Sequence, residues 1–279
     1  MIVRTAVVGH VEWIEFGRVE RVPRPGDIVH AADPWEEPAG GGAVAAVQLA
    51  RLADDCTFYT ALGDDERGEW SLRGLKKLGV RVQAATRDEP TRRGVVFIDA
   101  QGERTITTFG PRLEPRATDP LPWDELEAVD AVFFTAGDVE SLRRARRAGA
   151  LVATSRIGGT LVDADVHLDA VVGSGTDPAE AFDARSLTDP PDLVVRTGGR
   201  GGGEFETADG RTGTYEPIRP PGPIVDTYGA GDSFMAGLTF ALGRRLSVGE
   251  ALTVAARCGA WVVAGRGPYG RQLTAADLS

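Results

Sequence analysis

The sequence predicts an α/β protein whose mostly parallel sheet is covered by helices on both faces. Two observations lead to this prediction. Short apolar runs rich in β-branched residues recur along the chain, and segments with helical spacing of apolar residues lie between them. The 279 residues are 42% hydrophobic and 26% charged, which is enough for a large buried core. We therefore expect one domain over 1–279.

The predicted strands are short apolar runs bounded by Gly, Pro or polar residues. They are expected at 3–8, 95–98, 131–134, 151–153, 170–172 and 193–195. The predicted helices repeat apolar residues every three or four positions. They are expected at 42–52, 66–78, 139–148, 232–242 and 248–263. This alternation is typical of parallel strands joined by helical crossovers.

Two segments interrupt the alternation. One covers roughly 12–38 and is rich in Pro, Gly and charge, and the other covers roughly 89–109 and reads as a hairpin turning at 100–102. Both resemble short strands outside the main sheet, so we expect a small β flap, or lid, over a pocket. A flap would suit chemistry that must exclude water. The alternative is that both segments are ordinary surface hairpins.

Charge and cysteine content narrow the classes of partner. The net charge is −10, from 41 acidic and 31 basic residues, and it disfavours binding to nucleic acid or to an anionic membrane. Cys56 and Cys258 belong to no metal-binding spacing, so we expect buried free thiols. The N-terminus lacks a basic leader and no segment reaches transmembrane length, which predicts a cytoplasmic protein with no membrane partner.

The most informative stretch runs from Asp226 to Phe234 and reads as a glycine turn followed at once by a helix. Gly229, Ala230 and Gly231 carry minimal side chains, so their backbone N–H groups can approach a ligand closely. The positive end of the helix dipole adds to their attraction for an anion. Asp232 falls in the first helical turn beside this cradle.

A carboxylate next to an anion cradle has the chemistry that phosphorylation of a hydroxyl requires. The carboxylate takes the proton of the attacking alcohol, while the amides stabilise the charge on the transferred phosphoryl oxygens. The alternative for Asp232 is an acid that only stabilises the start of its helix. The surrounding constellation of small residues favours the catalytic interpretation.

The segment Asp226-Thr-Tyr-Gly-Ala-Gly-Asp232 resembles the C-terminal signature of ribokinase-like, or phosphofructokinase B type, carbohydrate kinases. Further similar motifs follow in family order at 40–42, 62–68 and 99–105. The resemblance implies a ribokinase-like three-layer sandwich with a β lid. It also implies ATP-dependent transfer of a phosphoryl group to a hydroxyl of a sugar, polyol or nucleoside, with Mg²⁺ and a monovalent cation such as K⁺.

The resemblance assigns roles to individual residues. Asp232 would be the catalytic base, Gly229, Ala230 and Gly231 would form the anion hole, and Asp226 would help to hold the monovalent cation. The nucleotide would lie between a glycine-rich turn and the C-terminal helix. The residues implied for ATP are Arg196, Gly198, Gly201, Ala255 and Cys258. For the turn itself, the alternative is a flexible connection.

Two parts of the family pattern are altered. In place of an Asn-x-x-Glu motif for magnesium, the chain has Ser174 and Asp177. Asp177 could serve through an additional water because Mg²⁺ usually retains several waters. Glu180 is a nearby substitute, although it could equally be a solvent-facing residue.

The expected acceptor site also departs from the family pattern. Glu12, Gly41, Gly42 and Asp232 are expected to contact the acceptor. His10, Trp13 and Ile14 stand near positions where family sugar sites have polar residues, which makes the pocket more apolar and aromatic. Packing beneath the lid is the alternative for Trp13 and Ile14.

The sequence also bears on two other functions. A metabolite or nucleotide sensor that retains the fold would explain the altered motifs, but it would have no need for a base at position 232. A dinucleotide-dependent enzyme would require a Gly-x-Gly-x-x-Gly turn after the first strand, which Gly9-His10-Val11-Glu12 does not supply. We further expect a homodimer formed through the lid, because pairing would bury its strand edges.

Overall fold

The computed structural model describes residues 3–278 and contains two separate β-sheets. The strands in chain order are β1 (Arg4–Val8), β2 (Glu12–Arg18), β3 (Ala32–Ala39), β4 (Asp55–Gly63), β5 (Arg81–Arg87), β6 (Arg93–Ile98), β7 (Arg104–Phe109), β8 (Ala131–Phe134), β9 (Leu151–Thr154), β10 (Ala170–Ser174), β11 (Leu193–Thr197), β12 (Gly203–Thr207) and β13 (Thr212–Tyr215). The α-helices are α1 (Gly41–Leu52), α2 (Glu66–Lys77), α3 (Val139–Ala145), α4 (Gly158–Ala164), α5 (Ala230–Gly243) and α6 (Val248–Val262).

The main sheet has the strand order β13-β12-β11-β10-β9-β8-β1-β4-β5. Its strands pair in parallel from β11 through to β5, and only the β11-β12-β13 edge is antiparallel. The order reverses at β1, because the chain builds β4 and β5 on one side of it and β8 to β11 on the other. Ligands bind at such a switch point in open parallel sheets, outside the carboxyl ends of the strands.

Helices cover the two faces of the main sheet and produce two apolar cores. Alternation along β1 sends Val7 to one face and Val8 to the other, which is the two-residue period of a strand. The first face packs against α1, α5 and α6, and the second packs against α3 and α4. The model thus confirms the predicted three-layer α/β sandwich with a mostly parallel sheet.

Several helices begin at the capping side chains that their sequence provides. The Asp65 carboxylate accepts from the N–H of Gly68 at 2.8 Å, and Asp138 accepts from Ser141 at 2.8 Å. Ser247 and Glu250 form a reciprocal capping box at the start of α6. These bonds satisfy N–H groups that have no partner within their own helix.

The second sheet, called the small sheet below, has the order β3-β2-β6-β7. Its strands all come from the segments predicted at 12–38 and 89–109. The hairpin that joins β6 to β7 touches the loop before α5, since the N–H of Thr227 donates to the carbonyl of Gly102 at 3.0 Å. Gly102 has a φ of +79° at this turn, a conformation that glycine adopts without strain.

The predicted strands and helices are found close to their expected positions, but β4, β5, β12, β13 and α4 were missed. Of these, β4 is the most central. This strand lies next to β1, and nearly all of its residues are buried. Thr57 and Thr60 interrupt its apolar run, so the sequence pattern alone did not mark it as a central strand. Both cysteines are buried free thiols. No helix within residues 3–278 combines the length and the apolar character needed to cross a membrane.

Candidate active site

The switch point of the main sheet brings together two loops that the sequence separates by more than a hundred residues. His10 follows the carboxyl end of β1, and Thr135 follows the carboxyl end of β8. The two strands are parallel neighbours, and the N–H of Thr135 donates to the carbonyl of Val8 at 2.9 Å. This edge is where the fold itself predicts a ligand.

Helix α1 begins at this edge through Gly40, whose φ is +88°. A Cβ on Gly41 would lie 2.9 Å from Oδ1 of Asp232 and 3.3 Å from Oγ1 of Thr135. A Cβ on Gly42 would instead lie 2.7 Å from the carbonyl oxygen of His10. Of the two glycines predicted to bind the acceptor, Gly41 therefore faces the cleft, whereas Gly42 allows α1 to pack against the β1 loop.

Helix α5 begins on the opposite side of the same cleft. Gly229 precedes it in the left-handed region with φ of +79°, and a Cβ there would lie 2.9 Å from Cγ1 of Val44. A Cβ on Gly231 would meet no described atom within 4 Å, because this residue faces open space. The N–H of Ala230 has only a long contact of 3.5 Å with the carbonyl of Thr227. This first turn therefore offers N–H groups to an anion.

Asp232 lies in the first turn of α5, partly buried and facing Gly41. Burial raises the pKa of this carboxyl group to about 6, the positive charge of Arg104 opposes the rise, and the negative charge of Glu180 adds to it. At neutral pH the group is mostly ionised. No residue within 3–278 donates a hydrogen bond to its carboxylate, which leaves both oxygens free to accept a proton from a ligand.

Asp226 is fully buried at the other end of the signature loop. Its two carboxylate oxygens accept from the N–H groups of Tyr228 at 2.8 Å and Gly267 at 3.0 Å. Burial raises its pKa. Within the described chain no Arg or Lys side chain forms an ion pair with this carboxylate, so a bound cation would compensate a buried charge. The Asp226 position therefore fits the predicted monovalent cation.

Tyr228 connects the two helix starts. The N–H of Gly40 donates to its hydroxyl oxygen at 3.2 Å. The edge of its ring meets the Phe16 ring of the small sheet with a centroid distance of 5.1 Å. The signature loop, α1 and the small sheet are thus held in one arrangement around the cleft.

The segment predicted to handle magnesium lies against a cation from another part of the chain, Arg156, in the turn after β9. Its Nη2 atom lies 2.6 Å from Asp177 and 2.6 Å from Glu180. Asp177 also caps a short 3₁₀ turn by accepting from the N–H of Ala179 at 2.9 Å. Glu180 accepts from the N–H of Ser174 at 2.6 Å, and its charge also reaches Asp232. Of Asp177 and Glu180, Glu180 is therefore the one whose charge acts on Asp232.

A cavity of about 250 Å³ extends from this segment along the ends of β10 and β11. Ser174, Asp177, Glu180 and Arg196 are among its lining residues. The glycine-rich turn beyond Arg196 is folded on itself, since the N–H of Gly201 donates to the carbonyl of Gly198 at 3.1 Å. The cavity places Arg196 beside the segment predicted for magnesium.

Ala255 and Cys258, the two residues of α6 predicted to contact the nucleotide, face α5. Both are fully buried, and a Cβ on Gly237 of α5 would lie 2.9 Å from Cα of Ala255 and 2.7 Å from Sγ of Cys258. They therefore form the close contact between α5 and α6. On α6, Gly259 lies nearer the start of α5, because a Cβ there would be 3.2 Å from the carbonyl oxygen of Ala230.

The residues of β2 divide between packing and the cleft border. Trp13 donates from Nε1 to Glu36 at 2.7 Å, and its ring lies 5.4 Å from the tilted ring of Trp70. Ile14 is fully buried. These contacts favour the packing alternative for both. Glu12 is buried with Oε1 at 3.2 Å from Nη1 of Arg92. The Glu12 carboxylate, which is predicted to contact the acceptor, therefore already forms an ion pair with Arg92.

Sequence reasoning missed several polar residues around the cleft. They are Thr135, Arg92, Arg104, Arg112 and Arg156. Thr135 could have been found from its position immediately after a buried strand. Arg104 belongs to the motif at 99–105, but no role follows from that motif, and the other three arginines lie outside the motifs. Only the folded chain brings their charges near His10 and Asp232.

Comparison with known proteins places the chain among sugar kinases. A family model described as pfkB family carbohydrate kinase matches residues 4–157 and 169–274. An ATP-dependent ribose-1-phosphate kinase of Halopiger xanaduensis is 28% identical and aligns over 95% of this chain and 93% of its own.

Solved structures share the fold. A putative ribokinase from Agrobacterium tumefaciens superposes with a TM-score of 0.80 at 20% identity, covering 97% of this chain and 94% of its own. Arabidopsis thaliana ribokinase complexed with ribose and ATP gives 0.77 at 21% identity, covering 100% of this chain and 98% of its own.

Proposed function

Since the chain belongs to the pfkB family of carbohydrate kinases, we propose that it transfers the γ-phosphoryl group of ATP to a hydroxyl of a small sugar, polyol or nucleoside. The observation that carries this proposal is the geometry of Asp232. Its carboxylate is partly buried, accepts no hydrogen bond from the described protein, and faces the cleft beside the N–H groups that open α5.

In the proposed reaction, Asp232 accepts the proton of the acceptor hydroxyl as that oxygen attacks the γ-phosphorus. The new O–P bond forms while the bond from the γ-phosphorus to the β–γ bridging oxygen breaks, and ADP leaves. The N–H groups of Gly229, Ala230 and Gly231 stabilise the negative charge on the transferred oxygens. The small sheet serves as a lid that excludes water from this step.

Cations complete the proposed site. Mg²⁺ would neutralise phosphate charge, and Asp177 and Glu180 would hold its waters, because this ion needs few direct protein ligands when it binds with a nucleotide. Asp226 would hold K⁺. Arg196 and the turn from Gly198 to Gly201 would border the nucleotide.

The test is ADP release from ATP across a panel of sugars, sugar phosphates, polyols and nucleosides, with and without Mg²⁺ and K⁺. The variant D232N serves as the blank. Turnover that depends on Asp232 supports the proposal and identifies the acceptor class. Measurable ATP binding without turnover of any acceptor would contradict it and would favour a sensor that retains the fold.

The pH dependence follows from the raised pKa of Asp232. A base must be ionised to accept a proton, so we expect kcat/KM to fall tenfold per pH unit below about pH 6. The negative charge of Glu180 contributes to the raised pKa, so E180Q should move this limb to lower pH. D177N is the matched control, because Asp177 also pairs with Arg156 but its charge is not among those that shift the pKa of Asp232. An unchanged limb in E180Q would contradict the assignment.

We also propose a homodimer formed through the small sheet. Strands β3 and β7 are its edges, and edge strands offer unpaired backbone groups to a second chain. Ile106 of β7 is 42% exposed although its cross-strand neighbour Val96 is fully buried. Sedimentation velocity at micromolar concentration should therefore give a dimer that I106E converts to monomer. A wild-type monomer would refute this arrangement.

A further inference from the structure

Two arginines, Arg92 and Arg112, flank the side of the small sheet that faces the cleft, although the protein is acidic overall. Cross-strand pairing places Thr108 beside Gly94 and Ile14, so Thr108 shares its face with a buried residue. Arg92 borders this face, and its Nη2 donates to Oγ1 of Thr108 at 2.6 Å. Arg112 follows β7 and approaches the same region from the next loop.

Arg112 has more donors than partners. Its side chain is only 30% exposed, and its nearest carboxylate, on Glu114, is 3.9 Å away, which is too long for a hydrogen bond. Its Nε is buried and unpaired, and no hydrogen bond leaves its guanidinium towards any residue in the described range 3–278. Leaving charged donors unsatisfied in a partly buried position is costly.

Two neighbouring groups share this condition. The Nε of Arg92 and the Nδ1 of His10 are also buried without a hydrogen-bond partner among the described residues. Burial lowers the pKa of His10 well below its usual range, and the positive charges of Arg112 and Arg92 lower it further. The imidazole is therefore neutral at physiological pH, and the two guanidinium groups lie close enough to act on it.

These groups adjoin the proposed acceptor position. The Cε1 atom of His10 and Oδ1 of Asp232 would lie 3.6 Å and 2.9 Å from a single point, the Cβ of a residue replacing Gly41. Glu12 holds Arg92 through Nη1 and leaves its Nε unpaired. A molecule whose hydroxyl reaches Asp232 can therefore extend towards His10 and the two arginines.

We propose that the acceptor already carries a phosphate ester and that Arg92, Arg112 and His10 bind this phosphate. The inference rests on the proposed kinase function and specifies its substrate class, a sugar phosphate that is converted to a bisphosphate. Guanidinium groups match phosphate oxygens with directed, charge-assisted hydrogen bonds. A neutral sugar would offer Arg112 no charged partner beyond Glu114, which is too distant to accept its hydrogen bonds.

Matched acceptors test the proposal. We expect ribose 1-phosphate or ribose 5-phosphate to exceed free ribose by about 100-fold in kcat/KM, the effect of two charge-assisted contacts. R112Q should raise KM for the phosphorylated acceptor by about 10-fold or more while KM for ATP is unchanged. R112K should recover part of this loss, because it restores the charge but not the fork.

R93Q is the matched control. Arg93 lies one strand position before Gly94, so its side chain points to the face of the small sheet opposite to that of Thr108, where its guanidinium lies over the Phe109 ring. R93Q should retain the preference for phosphorylated acceptors. A kcat/KM for free ribose equal to that for both ribose phosphates would overturn the proposal. So would equal losses in R112Q for both kinds of acceptor, since a structural defect would act on both.

Calorimetric binding separates the inference from the proposed function. Ribose 5-phosphate and ribose 1-phosphate are titrated into wild type, R112Q and R93Q without ATP. Binding of either phosphate that R112Q alone weakens supports the anion site even if no acceptor turns over, which would refute only the kinase proposal. Asp232-dependent turnover of unphosphorylated acceptors, with no such binding, would refute the inference and leave the kinase proposal intact.

Discussion

D232N should lower kcat by about 10²- to 10⁴-fold while ATP binds with unchanged affinity. An amide at this position cannot accept the proton of the hydroxyl, and removal of a positioned base typically costs about 10²- to 10⁴-fold in rate. The proposed anion hole consists of backbone N–H groups, which the substitution leaves in place. Single-turnover assays and nucleotide titration measure the two properties separately.

The same variant should be more stable than the wild type at pH 7.5. Burial raises the pKa of Asp232 to about 6 in the folded protein, above the unfolded value of about 3.9. The folded state thus binds this proton more tightly, and the associated stability is lost as pH rises from about 4 through 6. Removing the charge should return about 1 kcal/mol after allowance for partial exposure, or a few degrees in Tm.

The exposed acid Glu66 in the first turn of α2 is the matched control for D232N. E66Q should keep full activity and gain no stability, because this carboxylate is not buried. Turnover of D232N at the wild-type rate would exclude Asp232 as the base. A loss of stability in D232N would show instead that its carboxylate supports the fold.

G229A should have the second largest effect, lowering kcat by about 10²-fold. The residue has φ of +79°, and an added Cβ would lie 2.9 Å from Cγ1 of Val44. The positive φ, which alanine adopts only with strain, and the close approach to Val44 would both shift the turn and misdirect its N–H groups. Loss of one such donor typically lowers kcat 10²- to 10³-fold. The strain should also lower the free energy of unfolding by about 1–3 kcal/mol.

Gly79 provides the matched control because its φ is +90° and a Cβ there would meet no described atom within 4 Å. G79A should therefore lose about 1 kcal/mol from backbone strain alone and keep its activity. Rates are measured well below the Tm of each variant. If G229A and G79A had equal activity, the turn at Gly229 would have no role in catalysis.

The short segment from Asp226 to Asp232 could be interpreted from sequence because its chemistry is local. A glycine turn, a helix start and an acid follow one another within a few residues, so their relative geometry is largely fixed by the backbone. The alternating apolar runs likewise predicted the layered fold, since the period of a strand or helix is a local property. The strand β4 was missed because its burial depends on its neighbours in the sheet rather than on its own pattern.

The remaining site could not be derived in this way. Ala255 and Cys258 were predicted to contact the nucleotide from their position along the chain. The rotation of α6 about its axis places both side chains against α5 instead. The pairing of Arg156 with Asp177 and Glu180 joins segments more than 20 residues apart. Neither arrangement could be predicted from the spacing of residues along the chain.

By itself, the sequence determined the α/β class and, through motifs in order, membership of a kinase family, and it predicted a catalytic role for Asp232. Only the tertiary structure decided what surrounds that carboxylate. His10, Arg92 and Arg112 come from three separate parts of the chain, and their charges and unpaired donors meet only when the small sheet closes on the switch point of the main sheet. The physical reason is that hydrogen-bond satisfaction and burial are properties of neighbours in space.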